Sequence, residues 1–307
     1  MNSRRVSVVI VNWNGGDHLR RCLESLREFA GESVDRVTVI DNGSTDGSSE
    51  AARSAPGVTV VEAGENLGFA KACNRGARET AAEFILFLNP DAAVSPGIIP
   101  RVLSFMDDAA SAQIGICGVQ LVDENGQIAR SCARFPTPLG MCLVALGLGR
   151  VFRGRAMLME DWPHDQSRQV DHVIGAFYFV RRRVFNALQG FDERFFMYLE
   201  DLDFSLRAHR LGWSTHYLAD VHAFHAGGGT SRQVKDRRLF YSLRSRIQYS
   251  AKNFDRLSAA MVFLMTVILE PVARIGWSLA RLARGEVTQT IRAYRMLYQW
   301  IYQNSQP

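Results

Sequence analysis

Amide and carboxylate side chains close several apolar runs of this sequence. Asn12 follows "VSVVIV", Asp41 ends "RVTVID", and Asn89 and Asp91 follow "FILFL". A carboxylate that ends a buried strand lies at the edge of a sheet, where it can hold a ligand instead of losing its hydration without compensation. The alternative role for a single aspartate of this kind is the N-cap of the next helix. Several such strand ends together favour a ligand site.

A second group of ionisable residues lies between positions 200 and 225. Glu200, Asp201 and Asp203 crowd the start of a predicted helix, and His225 ends an apolar run. Oxygen ligands with one imidazole suit Mn²⁺ or Mg²⁺ bridging to a diphosphate. Glu200 or Asp201 could also act as a base that removes a proton from a hydroxyl, although acidic residues favour any first helical turn. The residues alone leave both interpretations open.

Glycine-rich phosphate loops are missing from the sequence. No G-x-x-x-x-G-K-[ST] pattern occurs, and no G-x-G-x-x-G follows the first predicted strand. These patterns bind phosphates in P-loop enzymes and dinucleotide dehydrogenases, so the sequence disfavours both classes, and kinases with them. If a diphosphate is bound, a metal at Asp91 must neutralise much of its charge.

Strand-like and helical patterns alternate in the first 91 residues. Apolar runs at 6–14, 36–43, 58–64 and 83–91 are separated by helical stretches at 17–30, 48–55 and 69–81. This alternation predicts βαβ units and a parallel sheet covered on both faces. Ligands of such sheets bind at the carboxyl ends of the strands, which is where the polar residues above lie.

Beyond residue 110 the pattern is mixed. Residues 114–135 predict a hairpin, and 136–170 carry few periodic signals and are expected to form a mobile loop region. A strand and a short helix are predicted in 172–196, then a helix that ends at Gly212 and a further strand over 214–229.

Composition limits the class of protein. The chain has 307 residues and is 47% hydrophobic, enough for a sizeable core. Its five cysteines show no metal-ligand spacing and no C-x-x-C pattern, so we expect reduced, packed thiols and a reducing compartment. The apolar run near the N-terminus is short and lacks a small-residue cleavage site, which predicts a first strand and not a signal peptide.

The C-terminal region, 232–307, is basic and apolar. It carries 13 Lys and Arg against 4 Asp and Glu, whereas residues 1–231 have a net charge of −4. Helical patterns fill the region, but the uncharged run 257–269 is too short to span a bilayer, and Glu270-Pro271 is expected to break the helix. Arginines around Trp277 predict a helix at a membrane surface. The alternative is a helical hairpin that packs on the domain or on a second subunit, as in a homodimer.

Several sequence blocks occur in a fixed order over about residues 6 to 231. They are "VSVVIVNWNGGDHLRRCLESL", "VIDNGSTDGS", "ENLGFAKACNRG", "FLNPDA", "GAFYFVRRRVFNALQGFDERFFMYLEDLDFSLRAHRLG" and "HAGGGTS". Together they resemble glycosyltransferase family 2 and, within it, the rhamnosyltransferase-like branch. The resemblance implies an α/β fold of the GT-A type, in which a Rossmann-like nucleotide-binding half joins a mixed-sheet acceptor half. It also implies a catalytic domain over 1–231, followed by the helical extension 232–307.

The resemblance implies a nucleotide site on the first half of the sheet. Asn12 and Asp41 would line the nucleoside pocket, with Asp41 facing a pyrimidine base. Asn66, Gly68 and Asn74 would shape the nucleotide side of the crevice.

The resemblance also implies a metal site and a catalytic base. Asp91 ends the D-x-D metal motif of the family, whose first position is occupied by Asn89 in this chain, an amide that supplies less charge and could contact the ribose instead. His225 matches a histidine that completes the metal or diphosphate site. Asp201, in the Glu200-Asp201 element, matches the catalytic base.

These roles imply an inverting, metal-assisted glycosyltransferase. The implied donor is dTDP-rhamnose, and the implied acceptor is a polyprenyl-diphosphate-linked sugar of cell-surface polysaccharide synthesis. The enzyme would lie at the cytoplasmic face of a bacterial membrane, with no nucleic-acid partner. The alternatives are a UDP-sugar donor, a nucleotidyltransferase, whose glycine-rich start this sequence lacks, and a non-catalytic membrane-docked interaction protein.

Overall fold

The computed structural model describes residues 5–148, 152, 157, 159–227 and 234–305. The chain divides into two compact units, which we name the sheet unit and the helical unit. The predicted boundary between 231 and 232 and residues 228–231 of the last sequence block lie outside the described residues. The sheet unit comprises Met1–Arg134, Trp162–Phe196 and Glu200–Thr230, and the helical unit comprises Phe135–Asp161, Met197–Leu199 and Ser231–Pro307.

Strands and helices alternate along the first part of the chain, and helices alone fill its last part. The strands are β1 (Val6–Asn12), β2 (Val34–Asp41), β3 (Val58–Glu62), β4 (Phe84–Leu88), β5 (Ala92–Val94), β6 (Ile114–Val122), β7 (Ile128–Ala129), β8 (Cys132–Ala133), β9 (Arg168–Val170), β10 (His172–Val173), β11 (Phe177–Arg181) and β12 (Ser214–His225). The helices are α1 (Gly16–Phe29), α2 (Ser48–Arg53), α3 (Phe69–Arg78), α4 (Ile98–Asp107), α5 (Pro138–Ala145), α6 (Arg182–Ala187), α7 (Glu200–Arg210), α8 (Lys235–Asn253), α9 (Arg256–Leu264), α10 (Glu270–Ala280) and α11 (Arg284–Ser305).

The main sheet has the strand order β3-β2-β1-β4-β11-β6-β12-β5. Its first four strands are parallel, which confirms the βαβ prediction. After β4 the strand direction changes, because β11 runs antiparallel between β4 and β6 and places Phe177 opposite Leu88. The sheet is therefore mixed, as the resemblance implies. The antiparallel direction matters for function, since it brings the start of β11 beside the end of β4.

Both faces of the parallel strands are covered. All seven residues of β1 are buried, and α1 packs on the sheet with Leu19, Cys22, Leu23 and Leu26, which lie on one side of the helix. All five cysteines are buried and free, as expected. The predicted hairpin is also present, since β6 and β7 pair antiparallel.

The expectation of a loop over 136–170 is wrong for the helix α5. Thr137 caps this helix, because its Oγ1 accepts a hydrogen bond from the Gly140 N–H at 3.0 Å, and Pro138 occupies the first turn. The sequence "PLGMCLVA" is apolar on every side of the helix, so it carries no helical period. The cap, and not the periodicity, was the usable signal.

The predicted helix break at Glu270-Pro271 is also wrong. The chain is helical without interruption over Arg256–Ala280, and Met265–Leu269 form a π-helical turn just before the proline. Pro271 has no N–H for the carbonyl of Val267, and its ring crowds that carbonyl in a regular helix. The Tyr298 hydroxyl donates to the Val267 carbonyl at 2.8 Å instead, and the Tyr294 hydroxyl donates to the Thr266 carbonyl at 3.1 Å.

Length and composition single out this continuous helix. Within the described part of the chain, Arg256–Ala280 is the one helix long and apolar enough to cross a membrane by these two criteria. Its side chains are not uniformly apolar, because Glu270 lies on its buried face.

An ion pair network fastens this helix within the helical unit. Glu270 has no exposed surface, accepts a hydrogen bond from Arg246 of α8, and accepts a second one from Arg274 Nε at 2.8 Å. A buried carboxylate of this kind depends on its cationic partners, and Arg246, itself buried, depends equally on the carboxylate.

We predict that Glu270→Gln destabilises the helical unit by about 3 kcal/mol, because it leaves the Arg246 guanidinium buried without a countercharge. Urea unfolding followed by circular dichroism measures the change. The control is Glu286→Gln, which removes an exposed carboxylate of the same unit and should cost less than about 1 kcal/mol. Equal stabilities of the two variants would contradict this account of Glu270.

Candidate active site

Asn12 and Asp41 form a buried pair at the ends of β1 and β2. The strands place the two residues opposite each other, and the Asn12 Nδ2 donates to Asp41 Oδ1 at 2.9 Å. The other Asp41 oxygen accepts the Ser44 N–H at 3.0 Å, and Asn12 also contacts Ser48 Oγ at 2.9 Å. The pair therefore fixes the loop that follows β2. The predicted contact of Asp41 with a base stays a prediction.

Gly68 occupies a position that only glycine fits. Its backbone has φ +80° and ψ 173°, and a Cβ there would lie 2.4 Å from the Phe196 carbonyl oxygen. Asn66 Oδ1 accepts the Gly68 N–H at 3.0 Å, and Asn42 Nδ2 donates to the Gly68 carbonyl at 3.2 Å. The end of β2 and the start of α3 are thus tied to the segment that leads to α7.

Asn74 fastens α3 to the segment around Phe191. Its side-chain amide accepts the Phe191 N–H at 2.8 Å and donates to the Phe191 carbonyl at 2.9 Å. It also donates to Glu193 Oε1 at 3.0 Å. Because the amide is buried and used by these contacts, Asn74 can shape the predicted nucleotide crevice only through the position of that segment.

The turn after β4 brings Asp91 to His225. Asp91 Oδ1 lies 3.4 Å from His225 Nε2, and the Ala226 N–H donates to the Asp91 carbonyl at 3.1 Å. The antiparallel pairing of β5 and β12, with His225 opposite Ala92, holds this geometry. The two residues predicted to bind a metal are therefore neighbours. Among the described residues, no group of three or more His, Cys, Asp and Glu forms a metal cluster.

Two protein ligands fit the chemistry of Mg²⁺ or Mn²⁺. Mg²⁺ is commonly held by one or two carboxylates, with phosphate oxygens and water completing its shell. Asp91 supplies a carboxylate at the sheet edge and His225 an imidazole, so a diphosphate would have to supply further ligands. Asn89, two residues before Asp91, forms no side-chain hydrogen bond with any described residue, and its amide is available to a ligand.

Asp201 is held beside this turn by the backbone before β11. The Gly175 N–H donates to Asp201 Oδ2 at 2.8 Å, and the next carbonyl, that of Ala176, accepts the Asn89 N–H at 3.1 Å. Gly175 and Ala176 therefore connect Asp201, the predicted catalytic base, to the turn after β4, which carries the predicted metal ligand Asp91. The Asp201 side chain is 17% exposed, so its carboxylate remains reachable.

Glu200 has a different environment from Asp201, although the two are adjacent. It is buried, and its Oε2 has no hydrogen-bond partner among the described residues. Burial and the neighbouring Asp201 charge raise the pKa of Glu200 well above its usual range. Glu200 thus holds its proton to a higher pH than an exposed glutamate, and Asp201 is the better candidate for the base.

The backbone is strained immediately before α7. Tyr198 and Leu199 both adopt left-handed conformations, with φ +71° and φ +65°. Two successive non-glycine residues in this region cost on the order of 1–3 kcal/mol each, and such strain concentrates at functional sites. The strained residues directly precede Glu200 and Asp201 in the chain.

A buried network that the sequence did not predict lies behind Asp201. His172 Nε2 lies 3.6 Å from Asp201 Oδ2, and His172 Nδ1 lies 2.9 Å from Ser205 Oγ. Ser205 Oγ also bonds the Tyr178 hydroxyl at 2.8 Å. Burial lowers the pKa of His172, so its imidazole is neutral near pH 7. The one available signal in the sequence was a histidine, His172, at the start of a predicted strand.

The remaining acidic and imidazole residues near the site have other partners. Asp203 is fully buried and accepts from Arg207 Nε at 2.8 Å, one helical turn along α7. Asp192 accepts hydrogen bonds from Arg194. His222 lies on β12 and is exposed.

The mixed sheet with acidic and amide residues at its strand ends defines a GT-A glycosyltransferase fold, and solved structures share it. The mannosyltransferase PcManGT from Pyrobaculum calidifontis, in complex with GDP-Man and Mn²⁺, superposes with a TM-score of 0.56 at 15% identity, covering 96% of this chain and 87% of that one. S. aureus TarS 1-349 in complex with UDP-GlcNAc gives a TM-score of 0.51 at 16% identity, covering 98% and 92%.

Sequence comparison identifies the family within this fold. The pattern of Glycosyl transferase family 2 matches residues 7–162. The N-acetylglucosaminyl-diphospho-decaprenol L-rhamnosyltransferase of Mycobacterium tuberculosis is 31% identical over 245 residues, which cover 71% of this chain and 75% of that protein. Rhamnosyltransferase WbbL of Escherichia coli K12 is 26% identical over 271 residues, covering 83% and 98%. The chain belongs to glycosyl transferase family 2, in the rhamnosyltransferase-like branch, and is a nucleotide-sugar-dependent glycosyltransferase.

We predict that Gly68→Ala destabilises the sheet unit by at least about 2 kcal/mol and weakens nucleotide binding, because the new methyl group would meet the Phe196 carbonyl in a backbone region reserved for glycine. Thermal unfolding and nucleotide titration measure the two effects. Gly57→Ala is the matched control, since Gly57 also has a positive φ but open space around it. The steric argument is wrong if both variants lose the same stability.

Proposed function

We propose that this enzyme transfers rhamnose from dTDP-rhamnose to a polyprenyl-diphosphate-linked sugar, with inversion at the anomeric carbon. The observation that carries the proposal is the position of Asp201 beside the Asn89 turn, with Gly175 and Ala176 between them. Relatives named as rhamnosyltransferases support the sugar, and the name of the Mycobacterium tuberculosis relative supports a polyprenyl-diphosphate acceptor. The alternative within the family is a UDP-sugar donor.

Asp91 and His225 would hold a divalent cation, Mn²⁺ or Mg²⁺. Such an ion neutralises the charge of the donor diphosphate, a need that no glycine-rich phosphate loop meets in this sequence. Asn89 would bind the ribose or a phosphate with its available amide. Asp91 is the less replaceable of the two ligands, because it brings the negative charge that a cation requires.

The nucleoside would lie over the carboxyl ends of β1 and β2. Asn12 and Asp41 would support this pocket by holding the loop after β2, and Gly68 would let the backbone approach closely at its side. Asn66 and Asn74 would act through the backbone segments that they fix. This arrangement agrees with ligand binding at the strand ends of α/β sheets.

Asp201 would take the proton of the acceptor hydroxyl. As that proton moves to a carboxylate oxygen, the hydroxyl oxygen forms a bond to the anomeric carbon from the face opposite the nucleotide. The bond from that carbon to the diphosphate oxygen breaks, and its electron pair leaves with the nucleoside diphosphate. The Gly175 N–H fixes one oxygen of the Asp201 carboxylate, so the base is oriented before the acceptor arrives.

A single displacement accounts for the inversion. A retaining transfer through a covalent intermediate would need a second reachable carboxylate as nucleophile. Glu200, adjacent to Asp201, is buried and has a raised pKa, which makes it unsuited to that role. The raised pKa also supports the choice of Asp201 over Glu200 as the base.

The acceptor would be presented at a membrane. A polyprenyl chain stays in the bilayer, so the enzyme must work at its surface, and we place it peripherally at the cytoplasmic face. The basic charge of the region from 232 to 307 supports association with anionic lipid. A homodimer through the C-terminal helices is the rival use of this region.

We predict that Asp201→Asn lowers turnover by about 10³-fold, the middle of the range that a general base contributes, while the affinity for dTDP changes less than about twofold. The assay follows transfer of radiolabelled rhamnose from dTDP-rhamnose to a synthetic polyprenyl-diphosphate-linked N-acetylglucosamine.

The neighbouring Glu200→Gln is the matched variant. It exchanges a buried carboxyl group, whose pKa is raised, for an amide of nearly the same shape. Its turnover should fall less than about tenfold. If Glu200→Gln is the more damaging change, the roles assigned to the two carboxyl groups are wrong. Transfer from UDP-sugars but not from dTDP-rhamnose would keep the mechanism and overturn the donor.

A further inference from the structure

The helix Arg256–Ala280 distributes its side chains in the opposite way to a helix of a water-soluble domain. Large apolar side chains point away from the unit, with Leu257 82% and Val272 69% exposed, whereas Thr266, Glu270 and Ser278 lie on the buried side. Water-soluble helices place their apolar stripe inward. The exposed stripe, which we name the outer stripe, consists of Leu257, Met261, Leu264, Ile268, Val272 and Leu279.

The spacing of the outer stripe makes it a continuous surface. Successive members are three, four or seven residues apart, so they lie on one side of the helix. Contiguous apolar surface of this kind is rare on monomers that stay in water, and it marks contact with a partner or a lipid. Polar groups on the protein side and apolar groups on the outer side are the arrangement of a helix in contact with lipid.

A basic groove lies within the helical unit at the C-terminal end of the outer stripe. It has a volume of about 760 Å³, and Lys235, Arg274, Trp277, Arg281 and Glu286 are among its lining residues. Lys235 and Arg281 are exposed, and neither forms an ion pair with any described residue. Arg274 forms an ion pair with Glu270. Two cations of the groove are therefore available to an anion.

Trp277 joins the groove to the outer stripe. Its side chain is 53% exposed, and its Nε1 lies close to Gly147, where an added Cβ would be 3.3 Å away. Tryptophan favours the level of the lipid headgroups, where its ring is apolar and its N–H remains hydrated. Arg281 follows Trp277 by four residues, which places both on the same side of the chain.

We propose that the outer stripe and the basic groove form one docking surface for anionic phospholipid. The outer stripe enters the boundary between headgroups and acyl chains, and the groove receives a lipid phosphate between Lys235 and Arg281. Ammonium and guanidinium groups donate charge-assisted hydrogen bonds to phosphate oxygens. The occupant is a phospholipid of the bilayer, because the positive charge of the groove is complementary to a phosphate. A second copy of the chain is disfavoured, because the two basic regions would repel each other. This inference rests on the proposed function only for the presence of a membrane.

The test is co-sedimentation of the full chain with vesicles of phosphatidylglycerol and phosphatidylcholine, compared with phosphatidylcholine alone. The double variant K235Q/R281Q should bind the anionic vesicles about 30-fold more weakly, the factor expected for two basic side chains at an anionic surface. The matched control R21Q/R27Q removes two exposed arginines of α1 and should lose less than about threefold. Equal losses in the two double variants would overturn the groove as a site.

Tryptophan fluorescence provides an independent readout. Brominated phosphatidylglycerol quenches an indole that enters the bilayer, so vesicles should quench the wild-type protein, and Trp277→Phe should remove most of this quenching. If Trp277→Phe leaves the quenching unchanged, this part of the surface does not enter lipid.

Substitutions in the outer stripe distinguish binding to a lipid from binding to a second subunit. Leu264→Ser/Ile268→Ser should weaken vesicle binding and leave the mass in solution unchanged. A wild-type dimer that this variant converts to a monomer, with no vesicle binding by either, would overturn the proposal in favour of a subunit interface. The K235Q/R281Q variant should still transfer the sugar to a water-soluble, short-chain acceptor. If the wild-type protein also fails to transfer the sugar to that acceptor, the result counts against the proposed function and not against the lipid site.

Discussion

Carboxylates at the ends of β2 and β4 and at the start of α7 need hydrogen-bond or ion-pair partners inside the protein, and this constraint organises the site. Asp41 is paired with Asn12, Asp91 with His225, and Asp201 with the Gly175 N–H. Each partner comes from a distant part of the chain, so no single segment can form the site. The hydrogen bonds that satisfy these groups therefore also fix the distances between the proposed nucleotide, metal and acceptor sides.

The adjacent residues Glu200 and Asp201 illustrate how environment separates two similar groups. Glu200 is buried, one of its oxygens has no hydrogen-bond partner within the described ranges, and its pKa is raised, whereas Asp201 accepts two backbone hydrogen bonds and keeps an accessible edge. Two residues with left-handed backbone, Tyr198 and Leu199, directly precede this helix start. The proposed mechanism needs one reachable carboxylate as its base, and Asp201 is the candidate that this environment leaves reachable.

Local sequence signals predicted the elements that carry the site, because apolar runs and caps act over a few residues. The ends of β1, β2 and β4 and the start of α7 could be located in this way. The partners could not, since His172 reaches Asp201, and Ser205 reaches Tyr178, only after the strands have paired. The failed helix break has the same origin: Tyr298, 27 residues beyond Pro271 in the sequence, satisfies the carbonyl that the proline leaves free.

In the proposed site, Asn89, Asp91 and His225 bind the diphosphate of a dTDP-sugar, with a cation, beside the base Asp201. The most direct measurement is calorimetric titration of the protein with dTDP and with UDP, each in the presence of Mn²⁺ and of EDTA. The account predicts binding that requires the metal, that favours dTDP, and that Asp91→Asn abolishes. Binding of neither nucleotide, or dTDP binding that is unaffected by EDTA and by Asp91→Asn, would contradict it.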